Sequence, residues 1–204
     1  MSAPPDVRLA RRKDLNQASE TLTDAFVDED GLNWWLKQGD EKERARRRFF
    51  DVAVRDAVHP KRVVWVTNDF TGAAIWCMPG VTAFDLTPLR QLLLTPLLLQ
   101  VAGVDGMKRA FETGETLAAH HPHVPHAHLV FLGVASRAQG QGVGSAILKR
   151  TLRDVDALKV PAYLEATKER NVALYLRHGF EVTAEFDVPK GGPHVWTMTR
   201  PAAG

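Results

Sequence analysis

The chain has 204 residues, enough for one domain that buries a hydrophobic core without the help of disulfides or metals. Hydrophobic residues make up 45% and charged residues 25%, a balance that excludes wholesale disorder, collagen-like repeats and a continuous coiled coil. The net charge of +2 is too small for a general nucleic-acid-binding protein, which usually carries a marked basic excess.

Cysteine content and hydropathy bear on the location of the protein. Cys77 stands alone, so no disulfide forms within the chain and a reducing compartment suits it. Residues 1–6 contain two prolines and an acid instead of the apolar stretch of a signal peptide. The most apolar segment, residues 92–104, is interrupted by Pro96 and Gln100 and is shorter than a membrane span. We expect a cytoplasmic protein without membrane or nucleic-acid partners.

Helical and strand patterns alternate through residues 1–125. Apolar residues at helical spacing predict the helices, and β-branched or aromatic runs bounded by turn residues predict the strands. In chain order the predicted elements are a strand at 7–9, a helix over 14–27, a helix over 40–58, a hairpin of strands 62–67 and 72–77, helices over 86–104 broken by Pro96, and a helix over 107–119. The acidic segment 28–31 is expected to separate the first two helices.

The pattern of residues 126–204 predicts a βαβ unit followed by a helix and two strands. The apolar run 129–134 is typical of a strand buried on both faces. The other predicted elements are a helix containing 147–158, a strand at 161–165, a helix over 171–178 ended by Gly179, and strands at 180–188 and 195–198. We therefore predict an α/β fold with a mixed, largely antiparallel twisted sheet, helices on both sides and the βαβ unit at its centre.

The glycine-rich segment 137–145 carries the strongest chemical signal. It lies between a buried strand and an amphipathic helix, where glycines let successive backbone N–H groups turn toward one anion. We expect a diphosphate ligand. No lysine stands between Gly144 and Ser145, which excludes a nucleotide triphosphatase loop. A dinucleotide fingerprint needs glycine where Ser145 stands, but Glu165 occupies a place suited to a ribose-binding acid, so a nucleotide-dependent oxidoreductase stays open.

Two motifs resemble those of a known family. Arg137-x-x-Gly140-x-Gly142, after a strand ending in Gly133-Val134, resembles the pyrophosphate motif of the GNAT superfamily of acetyl-CoA-dependent N-acetyltransferases. The segment 171–180, Asn-x-x-x-Tyr-x-x-x-Gly-Phe, resembles the second motif of that superfamily. The resemblance extends over the whole chain and is greatest to the puromycin-acetylating members, although it is patchier before residue 125.

The resemblance implies acetyl-CoA as the cofactor and assigns its binding residues. The backbone of 139–144 would hold the pyrophosphate, and 132–134 would pair with the pantetheine arm like an added strand. The implied cofactor-binding residues are Leu132, Gly133, Val134, Arg137, Gln139, Gly140, Gln141, Gly142, Val143, Gly144, Ser145 and Asn171. One domain over 1–204 would then consist of an acceptor-side half, 1–125, and a cofactor core with a C-terminal hairpin, 126–204.

Two residues are candidates for proton transfer. Tyr175 would lie near the cofactor sulfur and donate a proton to the leaving thiolate. Glu165 would accept the proton of the acceptor amine; the alternative is a structural salt bridge, for example with Arg170 or Lys168. A backbone N–H near Val134 would stabilise the oxyanion that forms on attack.

The acceptor is expected to be a small-molecule amine, such as a puromycin-like aminonucleoside or another antibiotic or metabolite amine. Residues expected to contact it are Asp28, Asp30, Trp34, Trp35, Trp76 and His128. The histidines between 120 and 128 lack the paired helical spacing of a zinc site, so we expect no metal. The Leu-rich stretch 89–104 either covers the acceptor or forms a homodimer contact. A non-catalytic acyl-CoA sensor remains an alternative function.

Overall fold

One mixed β-sheet organises the part of the chain that the computed structural model describes, residues 5–56, 62–81 and 88–204. Over these residues its strands are β1 (Val7–Leu9), β2 (Arg62–Thr67), β3 (Gly72–Cys77), β4 (Ala127–Val134), β5 (Ala162–Ala166), β6 (Glu181–Asp187) and β7 (His194–Arg200). Their order is β1-β2-β3-β4-β5-β7-β6, and β4 runs parallel to β5 while the other neighbours are antiparallel. The predicted mixed, largely antiparallel sheet is confirmed.

Helices cover both faces of this sheet, as predicted. They are α1 (Leu15–Ala25), α2 (Asp30–Trp35), α3 (Lys42–Asp56), α4 (Pro88–His120), α5 (Val143–Ala157) and α6 (Glu169–Leu176). One core cluster joins buried residues of α1 to α4 to one face, and a second joins α5 and α6 to the other. Because the strands between these layers are buried on both sides, β3 is apolar at almost every position instead of alternating.

The long helix α4 differs from the prediction of a break at Pro96. The helix passes through Pro96, and the irregular residue is Gly103, with φ 68° and ψ −175°. Glycine tolerates this positive φ because it has no Cβ. Near the kink the carbonyl of Val101 accepts the backbone N–H of Lys37 at 2.9 Å, so a group that leaves the helical pattern gains a partner in another element. The predicted helix over 107–119 is the second segment of α4.

Helix α2 is a short element that the sequence pattern did not predict. Its first residues lie in the acidic segment that was expected only to break the chain. The Glu29 carboxylate accepts the backbone N–H groups of Gly31 at 3.0 Å and Leu32 at 2.5 Å, and so caps the helix. The predicted end of α3 at Val58 and the predicted helix start at 86 lie outside the described residues.

Candidate active site

The strands β4 and β5 separate in the middle of the sheet. They pair only from Ala127 to Leu129 on β4 and from Ala162 to Leu164 on β5. Beyond that point β4 continues to Val134, while the end of β5 pairs with β7 on its other side. The stretch 130–134 therefore lacks a partner strand on the β5 side among the described residues. Such an open backbone edge suits an extended ligand that adds like a strand.

A β-bulge lies where this opening begins. Phe131 is opposite Ile75 and Leu129 is opposite Trp76, so Val130 has no partner on β3. A bulge turns the local backbone and re-aims its polar groups, and bulges are frequent beside active sites. A backbone N–H at the bulge is therefore a second candidate for binding the oxyanion, besides the expected N–H near Val134.

The glycine-rich loop has the backbone that an anion site requires. Gly140 and Gly142 have φ angles of +74° and +82°, and no atom would lie within 4 Å of a Cβ added at either position. Backbone conformation, and not lack of space, therefore requires glycine at both. Gly142 is the N-cap of α5, and no side chain caps the helix. The first amides of α5 thus lack a side-chain acceptor and add the positive end of the helix dipole.

Side chains brace this loop from within. Gln139 Nε2 donates to the carbonyl of Val134 at 3.2 Å, and Gln141 Nε2 donates to the carbonyl of Arg137 at 3.0 Å. The Ser145 hydroxyl and His178 Nε2 lie 2.7 Å apart and connect α5 to the end of α6. Because both glutamine side chains form hydrogen bonds within the segment 134–141, the backbone N–H groups of the loop are the groups available to bind a ligand.

The last residues of β4 are held close to α1. A Cβ at Gly133 would lie 2.7 Å from Ala25 Cβ and 2.9 Å from Leu22 Cδ2, so glycine permits this approach. Asp24 of α1 accepts the backbone N–H of Ser136 at 2.7 Å and its hydroxyl at 3.1 Å. These contacts fix the backbone between the open strand edge and the glycine-rich loop.

Tyr175 and Asn171 lie on α6, one helical turn apart. The Tyr175 ring is 7% exposed and packs edge-on against Phe180, with ring centroids 5.9 Å apart. No described residue forms a hydrogen bond with its hydroxyl. Burial, and then the negative charge of Glu29, raise the pKa of Tyr175 well above its ordinary value. The phenol therefore keeps its proton throughout the neutral pH range.

Glu165 lies next to the point where β4 and β5 separate and is almost enclosed. Its Oε2 is 2.7 Å from His128 Nε2, and its Oε1 is 3.8 Å from His121 Nδ1. Burial alone would raise its pKa, but the charge of His128 and the hydrogen bond from His128 Nε2 lower it well below the ordinary range. The carboxylate is therefore anionic. Its partner is histidine, and not the Lys168 or Arg170 named from the sequence.

The acidic segment before α2 is fastened to the end of β5. The Thr167 hydroxyl donates a short hydrogen bond to Glu29, and Lys168 Nζ lies 2.6 Å from Asp30 Oδ2. Asp30 therefore already has a cationic partner, while Asp28 is exposed. Glu29, which the sequence reasoning grouped with Asp28 and Asp30 as a residue that could bind a cationic acceptor, instead connects α2, Thr167 and the surroundings of Tyr175. Its capping role was not predicted, and its position two residues before Gly31 is the signal that could have identified it.

The tryptophans expected at the acceptor groove have different environments. Trp34 stacks under the guanidinium of Arg109 at 5.0 Å, and Trp35 packs edge-on against Phe49 at 5.3 Å. Trp76 is fully buried in the core cluster that contains α5. The expectation that Trp76 lines the groove does not fit this burial, because alternation along β3 turns its side chain away from the face that carries α1 and α3.

No group of three or more His, Cys, Asp or Glu side chains in residues 5–56, 62–81 and 88–204 is arranged to hold a metal ion. Among the helices of the same part of the chain, none is long and apolar enough to cross a membrane.

Comparison with known proteins identifies the class of the enzyme. Residues 100–182 match the family model described as an acetyltransferase (GNAT) domain. An uncharacterized N-acetyltransferase of Schizosaccharomyces pombe is 26% identical over 179 residues, which cover 82% of this chain and 71% of that protein.

Solved structures give the same result for the fold. A crystal structure from Corynebacterium glutamicum, named histone acetyltransferase HPA2 and related acetyltransferase, has a TM-score of 0.77 at 25% identity and covers 99% of this chain and 98% of its own. Arylalkylamine N-acetyltransferase 2 of Aedes aegypti has a TM-score of 0.66 at 15% identity, covering 96% and 98%, and so shares the fold. The chain is an acyltransferase with a GNAT fold. The matched domain and the relatives support its place in the GNAT superfamily, and the oxidoreductase alternative is not supported.

Proposed function

We propose that the protein transfers the acetyl group of acetyl-CoA directly to the amine of a small molecule, such as a puromycin-like aminonucleoside or another antibiotic or metabolite amine. The observation that carries the proposal is the opening between β4 and β5, followed at once by the glycine-rich loop. An extended arm and a diphosphate, joined in that order, are what these two features accept. Coenzyme A has this composition.

The residues around the opening fit that cofactor, which would supply the acetyl group as a reactive thioester. The backbone of 139–144 and the first amides of α5 hold the pyrophosphate, and Arg137, exposed at the start of the loop, adds a positive charge. The edge of 132–134 pairs with the pantetheine amides, and Asn171 reaches the same arm. Backbone N–H groups at the Val130 bulge or near Val134 stabilise negative charge that grows on the carbonyl oxygen.

Tyr175 is proposed as the acid that protonates the leaving sulfur. Its raised pKa keeps the hydroxyl protonated, and no described residue competes for that proton. A thiolate has an ordinary pKa of about 8.5 and is basic enough to take a proton during bond cleavage. The charge of Glu29 disfavours a lasting phenolate, so Tyr175 is expected to regain its proton quickly.

Glu165 is proposed as the base that receives the proton of the acceptor amine, directly or through water. It is anionic and lies beside the point where β4 and β5 diverge. The sequence Leu164-Glu165-Ala166-Thr167 resembles the corresponding segment of the puromycin-acetylating members and supports an aminonucleoside acceptor. The groove on the α1 and α2 side would hold that acceptor. On this proposal residues 1–125 select the amine and residues 126–204 hold the cofactor.

The test is amine-dependent release of free thiol from acetyl-CoA by the purified protein, with product mass measured in parallel. The panel contains puromycin, polyamines, aminoglycosides, arylalkylamines and amino acids. We expect one class of amine to gain a single acetyl group at a rate equal to thiol release. Coenzyme A binding without turnover on any amine would contradict the proposal and favour an acyl-CoA sensor.

A further inference from the structure

Two histidines connect buried Glu165 to the protein surface. His121 Nδ1 lies 3.8 Å from Glu165 Oε1, and His121 Nε2 lies 3.1 Å from His126 Nε2. The remaining ring nitrogen of His126, Nδ1, lies 2.7 Å from the carbonyl oxygen of Val124. The side chain of Glu165 is 16% exposed and that of His121 is 29% exposed, so exposure increases from Glu165 to His121.

The hydrogen-bond partners assign the protons of this pair. Because a carbonyl oxygen only accepts, His126 Nδ1 must carry the proton directed at Val124. In neutral His126 the Nε2 atom is then bare and accepts the Nε2 proton of His121. A neutral His121 that carries its proton on Nε2 has no proton on Nδ1. The Nδ1 atom, with its free lone pair, is the ring nitrogen on the side of Glu165. The pair is thus set to take up one further proton on the side of Glu165.

The proposed reaction requires an outlet for one proton. An acceptor that arrives as an ammonium ion has three protons on nitrogen, and the amide product keeps one. A second ends on the sulfur of coenzyme A through Tyr175, so the third must leave the protein. Glu165 does not retain that proton, because the charge of His128 favours the anionic form of the Glu165 carboxylate.

We propose that His121 and His126 form a proton relay that carries the third proton from Glu165 to solvent. This inference rests on the proposed acetyl transfer. The proton moves from the Glu165 carboxyl group to His121 Nδ1 through a water that bridges the 3.8 Å between them. The Nε2 proton of His121 then moves to His126 Nε2, and the resulting His126 imidazolium loses one proton to water. One proton enters the pair and one leaves it, so the pair is again neutral, but His121 then carries its proton on Nδ1. Exchange with water at the partly exposed His121 ring restores the Nε2 tautomer before the next turnover.

The surroundings of the relay favour this direction of transfer. The titratable groups that face it among the described residues are Glu165 and Tyr163 of β5 and His128 of β4. Burial is the largest cause acting on the pKa of His126 and lowers it, although the hydrogen bond to Val124 opposes this, so a His126 imidazolium releases its proton more readily than an ordinary one. The His128 contact holds Glu165 in place, since His128 Nε2 donates to its carboxylate at 2.7 Å.

The relay is tested with His121→Gln and His126→Gln, using the amine that the wild-type protein acetylates. His123→Gln is the matched control, because His123 lies in the same segment, is exposed and is not part of the cluster. In weak buffer we expect kcat to fall about ten-fold or more in each relay variant. Added imidazole should restore much of the loss, and the deficit should shrink as pH rises and more acceptor arrives as neutral amine. The dissociation constant of coenzyme A should not change.

The outcomes separate the relay from the proposed function. A wild-type protein without amine-dependent thiol release would overturn the proposed function and the relay with it. An active wild-type protein whose two relay variants match His123→Gln would overturn the relay alone. A loss that imidazole and pH leave unchanged would assign the histidines a structural role and also overturn the relay. If thermal unfolding reveals that His121→Gln does not fold, the more peripheral His126→Gln decides the result.

Discussion

Replacement of Gly142 by alanine tests the proposed phosphate loop through backbone conformation alone. Gly142 has a φ of +82°, and nothing lies within 4 Å of an added Cβ, so alanine brings strain without a steric clash. An L-residue in the left-handed region costs about 1–2 kcal/mol relative to glycine, which corresponds to about 5- to 30-fold in an equilibrium constant. The free loop can relax to escape this strain, and coenzyme A must then restore the original conformation when it binds.

We therefore expect Gly142→Ala to raise the dissociation constant of coenzyme A by up to about 30-fold, measured by titration calorimetry. Gly191→Ala is the matched control, because Gly191 has a φ of +81°, an equally open Cβ position and a place in the turn between β6 and β7. The control should lose stability to urea without losing affinity. Equal affinity for coenzyme A in both variants and the wild type would refute the assignment of the loop.

Three further predictions concern the proposed acid Tyr175, the partly buried ion pair of Arg8 and Asp14, and the close approach of α1 to β4. Tyr175→Phe should lower kcat by about 100-fold or more while coenzyme A affinity stays within two-fold; an unchanged kcat would remove the acid role. Asp14 accepts from Arg8 at 2.6 Å, and this hydrogen bond is the main cause that lowers its pKa below 3.8. Asp14→Asn should cost about 1.5–3 kcal/mol of unfolding free energy near pH 7. Because the pKa of Asp14 is lower in the folded protein than in the unfolded chain, its ionised carboxylate stabilises the fold above the unfolded pKa, and this contribution is lost as pH falls. The difference in unfolding free energy between Asp14→Asn and the wild type should therefore diminish below about pH 4 in urea unfolding. A difference that stays constant with pH would contradict the prediction. Gly133→Ala should destabilise the fold by about 1–3 kcal/mol through its clash with Ala25, and Ala25→Gly in the same chain should recover part of that loss in thermal unfolding.

The sequence predicts those parts of the fold whose cause is local. The hairpin of β2 and β3, the buried strand β4 and the glycine-rich turn before α5 each have a short pattern that fixes them. Gly140 and Gly142 were identifiable from the sequence because a tight turn and a diphosphate site both require a backbone with positive φ, which glycine adopts most easily.

Features that depend on distant contacts were not predictable. For helix α2 only part of the cause is distant: its cap at Glu29 is local, but the contact of the same carboxylate with Thr167 joins two parts of the chain far apart in sequence. The bulge at Val130 is a matter of register with β3, which composition does not encode. The Glu165–His128 contact needs the parallel register of β4 and β5, although alternation along each strand would have placed the two side chains on one face once that register was known.

Amide hydrogen exchange with and without coenzyme A tests the central claim most directly, because it reports on each backbone segment of the proposed cofactor site. The claim is that the open edge of β4 and the loop before α5 hold the pantetheine arm and the pyrophosphate. It predicts that coenzyme A slows exchange at the amides of 132–134 and 139–144 and leaves the turn between β6 and β7 unchanged. Binding that leaves exchange in both segments unaltered would contradict it.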